Sequence, residues 1–178
     1  MSDSDDRRAA FERLFAAHYA DVRRYALRRA PAASVEDVVA ETFLVAWRRL
    51  EVVGEDPVPW LLGVARRVLA NQLRAERRRG ALTGRLRAVG PERELAWEPP
   101  VRMGRELGLA IASLSARERE ALLLVAWEGL EPARAARVAG CTPAAFRVRL
   151  HRARRHVSAA LGLPADGGGC ATIVKEVQ

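Results

Sequence analysis

The sequence predicts an all-α protein: two small helical domains joined by a flexible linker, the second containing a helix-turn-helix. Three observations carry this. Apolar residues recur at the helical period through successive segments, and no alternating strand pattern is found outside the last few residues. The period fails between Gly80 and about Gly104, where Gly84, Gly90, Pro91, Pro99 and Pro100 lie among charges. Beyond that break, Gly140, Cys141, Thr142 and Pro143 compress a helix stop and a helix start into one turn.

Between Phe11 and Arg29 a first helix places Phe11, Leu14, Phe15, Val22, Tyr25 and Ala26 on one face, and Pro31 ends it. Ser34 with Asp37 has the form of a capping box and opens a second helix, whose inward stripe is Val35, Val39, Phe43, Ala46 and Leu50. Asp37, Glu41, Leu44, Trp47 and Arg48 occupy its other sides. Gly54, Pro57 and Pro59 mark Glu51–Pro59 as a loop, after which a third helix runs from Trp60 to Arg79 through Leu61, Val64, Ala65, Val68 and Leu69. Its free sides carry Arg66, Arg67, Arg74, Arg77, Arg78 and Arg79 against the single Glu76. Arg67, Asn71, Arg74 and Arg78 share one face, as in a surface that tracks phosphates, although a solvated basic face has the same pattern. Trp60 suits either a packing anchor or a base-stacking platform. These helices define a first domain over residues 1–79, with residues 80–104 as linker.

The second domain, residues 105–161, takes its first apolar stripe from Met103 through Leu107, Ile111 and Leu114. Ser115 and Glu118 then form a capping-box pattern for a helix from Ala116 to Glu128 that Gly129 ends, and a short helix runs from Pro132 to Ala139. Gly140 can close that helix in the left-handed conformation, Thr142 caps the next, and Pro143 sits at the first helical position, where no amide donor is missed. Phe146, Leu150, Ala153, Val157 and Leu161 form the inward stripe of this last helix. Its opposite face carries Ala144, Val148, His151, Arg152 and Arg155, with Arg147 to the side. The early turns offer small and donor-rich side chains, which suit base edges in a major groove, and the later turns offer arginines, which suit phosphates. A basic solvated helix would share this composition. The tail, residues 162–178, contains three consecutive glycines and is expected to be flexible.

Composition narrows the function. The chain has 178 residues, 49% of them hydrophobic, and a net charge of +8, which points to a polyanionic partner. The two cysteines, Cys141 and Cys170, have no partner at redox or metal spacing, which fits a reducing, intracellular setting. No apolar signal core follows MSDSDDRR and no run approaches a membrane span, so a cytoplasmic protein with no membrane partner is expected. The three histidines are His18, His151 and His156; the last two, five apart, lie on different sides of their helix. Glu118 and Glu120 read as exposed helix charges. With no phosphate-cradling loop, zinc pattern or nucleophile elbow, neither catalytic residues, metal nor cofactor are expected.

Together these segments resemble the extracytoplasmic-function class of bacterial sigma factors, the small two-domain promoter-recognition subunits of RNA polymerase. The resemblance spans about Phe11 to Leu161. FERLFAAHYADVRRYALRR is similar to the first helix of that family's region 2, VEDVVAETFLVAWRRL to its polymerase-binding helix, and VPWLLGVARRVLANQLRAERRR to the helix that meets the promoter −10 element. LSAREREALLLVAWEGL, followed by the helix-turn-helix, is similar to region 4.

The resemblance implies that Asp37, Glu41, Phe43, Leu44, Trp47 and Arg48 dock on the clamp helices of the polymerase's largest subunit, although periodicity puts Phe43 in the core. It implies −10 contacts from Pro59, Trp60, Arg66, Arg67, Asn71, Arg74, Arg77 and Arg78, including capture of an unstacked base. It places −35 readout on Arg147, Val148, His151 and Arg152, with Thr142, Ala144 and Ala145 near the backbone and Arg155 toward phosphate. The flap of the second polymerase subunit and an anti-sigma factor are implied as further partners. Two features depart from the family pattern: Val148 stands where a small polar residue is common, and EPARAARVAG has Arg134 and Ala135 in place of the usual glutamate-isoleucine-alanine pattern.

A −10 to −35 spacer of about 17 base pairs is roughly 58 Å long. A linker of about 25 residues spans up to roughly 80 Å extended but only about 28 Å as a relaxed coil, so it must be held stretched. Two other readings stay open on sequence: a stand-alone helix-turn-helix regulator, and a sigma-like decoy that occupies polymerase without initiating.

Overall fold

The computed structural model describes residues 3–82 and 104–163. Among the described residues seven α-helices follow in order: α1 (Asp3–Leu27), α2 (Val35–Arg48), α3 (Pro57–Leu82), α4 (Arg105–Ala112), α5 (Ala116–Ala126), α6 (Pro132–Ala139) and α7 (Pro143–Ala160). Short 3-10 turns occupy Ala32–Ser34 and Leu50–Val52, and no strand occurs among the described residues. The chain divides into two compact units, one holding α1–α3 and the other α4–α7. Most of the expected linker and the tail from Pro164 lie outside the described residues, as does Met103.

In the first unit, α1, α2 and α3 pack on one another pairwise. Val22, Tyr25 and Ala26 of α1, Val35, Val39 and Phe43 of α2, and Leu61, Ala65 and Leu69 of α3 are all buried in the core of this unit. Burying each of the larger side chains stabilises the unit by about 1.5–3 kcal/mol before chain entropy is counted. Thr42 is fully buried, and its hydroxyl donates to the Val38 carbonyl at 2.7 Å, so no polar group is stranded there.

α1 begins two turns before the expected start at Phe11. Asp5 and Asp6 favour the positive end of the helix dipole, Ala9 and Ala10 are strong helix formers, and Arg8 pairs with Glu12 at 3.0 Å. At α2 the expected capping box is absent: Ser34 makes no side-chain cap bond because its own backbone is already helical (φ −100°, ψ −5°), as the last residue of a 3-10 turn. α3 starts at Pro57 rather than Trp60, so the loop is shorter than expected. Both prolines fit the first turn, where an amide has no intrahelical acceptor to lose. α3 also runs past Arg79 to Leu82, taking the first residues of the expected linker into the helix.

In the second unit, α7 packs on α4, α5 and α6, and α5 packs on α6. The capping box at Ser115 is complete, with the Glu118 amide donating to Ser115 Oγ at 3.4 Å and the Ser115 amide to Glu118 Oε2 at 3.2 Å. Arg119 caps the preceding segment, donating to the carbonyls of Ile111 at 3.2 Å, Ala112 at 3.0 Å and Leu114 at 2.9 Å. α6 has the bounds the sequence predicts and ends at Gly140 in the left-handed region (φ 65°). The Cys141 amide reaches Ala136 O at 3.1 Å and the Gly140 amide reaches Arg137 O at 3.3 Å, the paired bonds of a Schellman motif. The Ala145 amide donates to Thr142 Oγ1 at 3.2 Å, which starts α7.

Candidate nucleic-acid interface

Three outward surfaces hold the residues that the sequence singles out. The first is α7. Phe146, Leu150, Ala153 and Val157 are buried, which fixes the roll of the helix and turns Ala144, Arg147, Val148, His151, Arg152 and Arg155 to solvent. Thr142 is exposed and Ala145 is half-buried; both belong to the cap. The exposed side chains of its first two turns are Pro143, Ala144, Arg147 and Val148, and His151, Arg152 and Arg155 follow farther along.

Behind this face, the α5 cap reaches α7. Ser115 Oγ donates to Glu118 Oε2 at 2.7 Å, and His156 Nδ1 lies 3.7 Å from the same oxygen. Glu118 titrates below the usual carboxylate range, chiefly through the Ser115 hydroxyl, then the Ser115 amide, His156 and Arg152. Neither Glu118 nor Glu120 is an exposed helix charge as the sequence suggested; both are half-buried. Nothing in the local pattern signalled the link to His156, 38 residues away.

The second surface is α3. Arg67, Asn71, Arg74 and Arg78 are exposed along one face, and Arg74 Nη2 donates to Asn71 Oδ1. Arg66 and Arg77 are half-buried, as is Trp60. Pro59 is fully buried and serves packing, so its side chain does not reach a ligand.

The third surface is α2. Asp37, Glu41, Leu44, Trp47 and Arg48 all face outward, with Leu44 48% and Trp47 36% exposed, whereas Phe43 is only 3% exposed and belongs to the core. The structure thus follows the periodicity of Phe43 and removes it from any docking face. Phe11 and Phe15 of α1 stack around it, with ring centroids 6.4 Å and 4.7 Å away; Phe15, expected inside, is 39% exposed. Phe11 also meets the Trp47 ring edge-on at 5.2 Å. Arg7 lies over that indole at 5.2 Å and donates to the Trp47 carbonyl at 2.8 Å. Arg7 is one turn ahead of Phe11 on α1. Between α2 and α3 a groove floored by Val45, Val64 and Val68 is rimmed by Glu41, Arg48, Arg49, Arg67 and Asn71, so the second and third surfaces meet along it.

Among the described residues, no group of three or more His, Cys, Asp or Glu side chains is placed to hold a metal, and no helix is long and apolar enough to cross a membrane.

A helical unit with a basic third helix and a second unit ending in a helix-turn-helix define a sigma-type promoter-recognition protein. Residues 14–79 match Sigma-70 region 2 and residues 104–157 match Sigma-70, region 4. The chain is 34% identical over 152 residues to the ECF RNA polymerase sigma factor SigL of Mycobacterium tuberculosis, covering 83% of this chain and 86% of that protein. It is 30% identical over 162 residues to the RNA polymerase sigma factor CarQ of Myxococcus xanthus, covering 89% and 92%. Among solved structures, CnrH in complex with the cytosolic domain of CnrY is similar with a TM-score of 0.58 at 26% identity, covering 90% of this chain and 91% of that one. RpoE of Bartonella quintana, solved with the anti-sigma factor NepR, shares the fold with a TM-score of 0.64 at 23% identity, covering 85% and 96%. The chain belongs to the extracytoplasmic-function RNA polymerase sigma factors. It acts with core RNA polymerase in promoter-directed transcription initiation.

Proposed function

We propose that the three surfaces divide the labour of initiation. The exposed face of α2, from Asp37 to Arg48 without Phe43, docks on the clamp helices of core polymerase. The face of α3 from Trp60 to Arg78 holds the −10 element, and the outward face of α7 reads the −35 element. The observation that carries this reading is the roll of α7, which buries its whole apolar stripe and leaves the donor-bearing face open. Strand opening at the −10 element forfeits stacking of roughly 1–2 kcal/mol per step, which arginine contacts to the exposed backbone and a captured base must offset. The protein contributes binding energy to this step and no chemistry of its own. An anti-sigma protein is the natural competitor for these surfaces, a reading supported by the similarity to CnrH in its complex with CnrY.

Run-off transcription with core polymerase and a panel of promoters tests the assignment. Arg147→Ala and Arg152→Ala should each weaken promoter-specific binding by about 1–3 kcal/mol and leave core affinity unchanged. Asp37→Ala with Glu41→Ala should weaken core binding and leave promoter preference unchanged. Equal losses in both assays would contradict the division, and core binding without initiation would identify a decoy.

A further inference from the structure

One residue on the outward face of α7 is explained neither by folding nor by charge. Val148 is 51% exposed on a helix whose other exposed side chains are proline, alanine, arginine and histidine. A β-branched residue is a poorer helix former than alanine or arginine, and at this exposure it recovers little by burial. Its neighbours give it a context. Ala144 lies one turn before it, His151 and Arg152 one turn after, and Arg147 beside it, all exposed. The Thr142 cap and the buried Phe146 and Leu150 hold the roll of the helix, so these groups share one surface. The isopropyl group of Val148 and the methyl of Ala144 therefore form an apolar step flanked by hydrogen-bond donors.

In a major groove, only one base edge presents an apolar group, and that is the C5-methyl of thymine; the neighbouring arginines suit guanine acceptors. We propose that Val148, with Ala144 behind it, reads a thymine methyl in the −35 element beside a base pair read by Arg147 or Arg152. This rests on the assignment of the α7 face to the −35 element and deepens it by naming the base chemistry.

The test uses holoenzyme made from the full chain and core polymerase. It first selects sites from a promoter library randomised over the −35 element. Each thymine of the selected element, on either strand, is then replaced by deoxyuridine, which deletes only the methyl. The expected result is one position at which the replacement weakens binding about four-fold, the equivalent of ~0.8 kcal/mol for one buried methyl. Val148→Ala should abolish that sensitivity and Val148→Ile should keep it, with Tm and core affinity unchanged in both. A selected element with no methyl-sensitive thymine overturns the proposal, as does sensitivity that survives in Val148→Ala; either leaves −35 recognition by α7 standing. Loss of core affinity in Val148→Ala also overturns it, by placing Val148 in a protein interface. Failure of the wild-type holoenzyme to select any −35 sequence overturns the underlying assignment instead.

Discussion

Glu118 is held at once by the start of its own helix and by α7. Its carboxyl titrates below its ordinary value of 4.5 because the Ser115 hydroxyl and amide, followed by His156 and Arg152, favour the anion. The stabilisation this gives is present above the unfolded-state value and is lost as pH falls through the lower folded-state value. Glu118→Gln should therefore lower the unfolding free energy near neutral pH, and in urea titrations the difference from wild type should shrink as pH falls through the lowered folded-state value. A difference that stays constant with pH would show that the carboxyl charge contributes nothing. Aromatic residues four apart on α2 behave differently for an equally local reason: Phe43 falls on the inward stripe and Trp47 at its edge, where Arg7 covers the ring.

At the scale of elements, the joint between α6 and α7 depends on one backbone conformation. A Cβ at Gly140 would meet nothing within 4 Å, but the φ of 65° is one that side-chain-bearing residues adopt at a cost. Gly140→Ala is expected to destabilise the second unit by about 1–2 kcal/mol, and Gly140→Asn by less, in equilibrium unfolding. Equal stability of Gly140→Ala and wild type would contradict the strain. This joint and the Ser115 cap were legible in the sequence residue by residue, because each is set by side chains within a few positions of one another. The start of α2 was not, since the cap chemistry of Ser34 is overridden by the backbone of the preceding 3-10 turn. Pro57 and Pro59 have the pattern of breakers, yet both are compatible with a first helical turn, and only tertiary burial reveals that Pro59 is a core residue. The candidate surfaces were legible wherever helical phase alone decides exposure, as on α7. Contacts between distant positions, such as Arg7 with Trp47 or Glu118 with His156, leave no mark in a local pattern.

At the scale of the whole molecule, a net charge of +8 makes promoter binding a matter of counterions. If Arg74 and Arg78 each neutralise a phosphate, replacing both by alanine should reduce the slope of log affinity against log salt by roughly 1.4–1.8 while leaving sequence preference intact. An unchanged slope in holoenzyme binding assays would remove the α3 face from the contact. The division of the chain into two contiguous units has a further consequence, in the time domain. α1, α2 and α3 pack on one another within a contiguous stretch that ends at Leu82, and α4 to α7 follow later in the chain. Synthesis of the roughly 80 residues that complete α7 takes on the order of 4–16 s, far longer than a small helical unit needs to fold. The unit of α1–α3 is thus expected to be assembled on the ribosome before the unit of α4–α7 is complete. Protease resistance of α1–α3 in nascent chains stalled after that unit has emerged would bear this out, and digestion throughout would refute it.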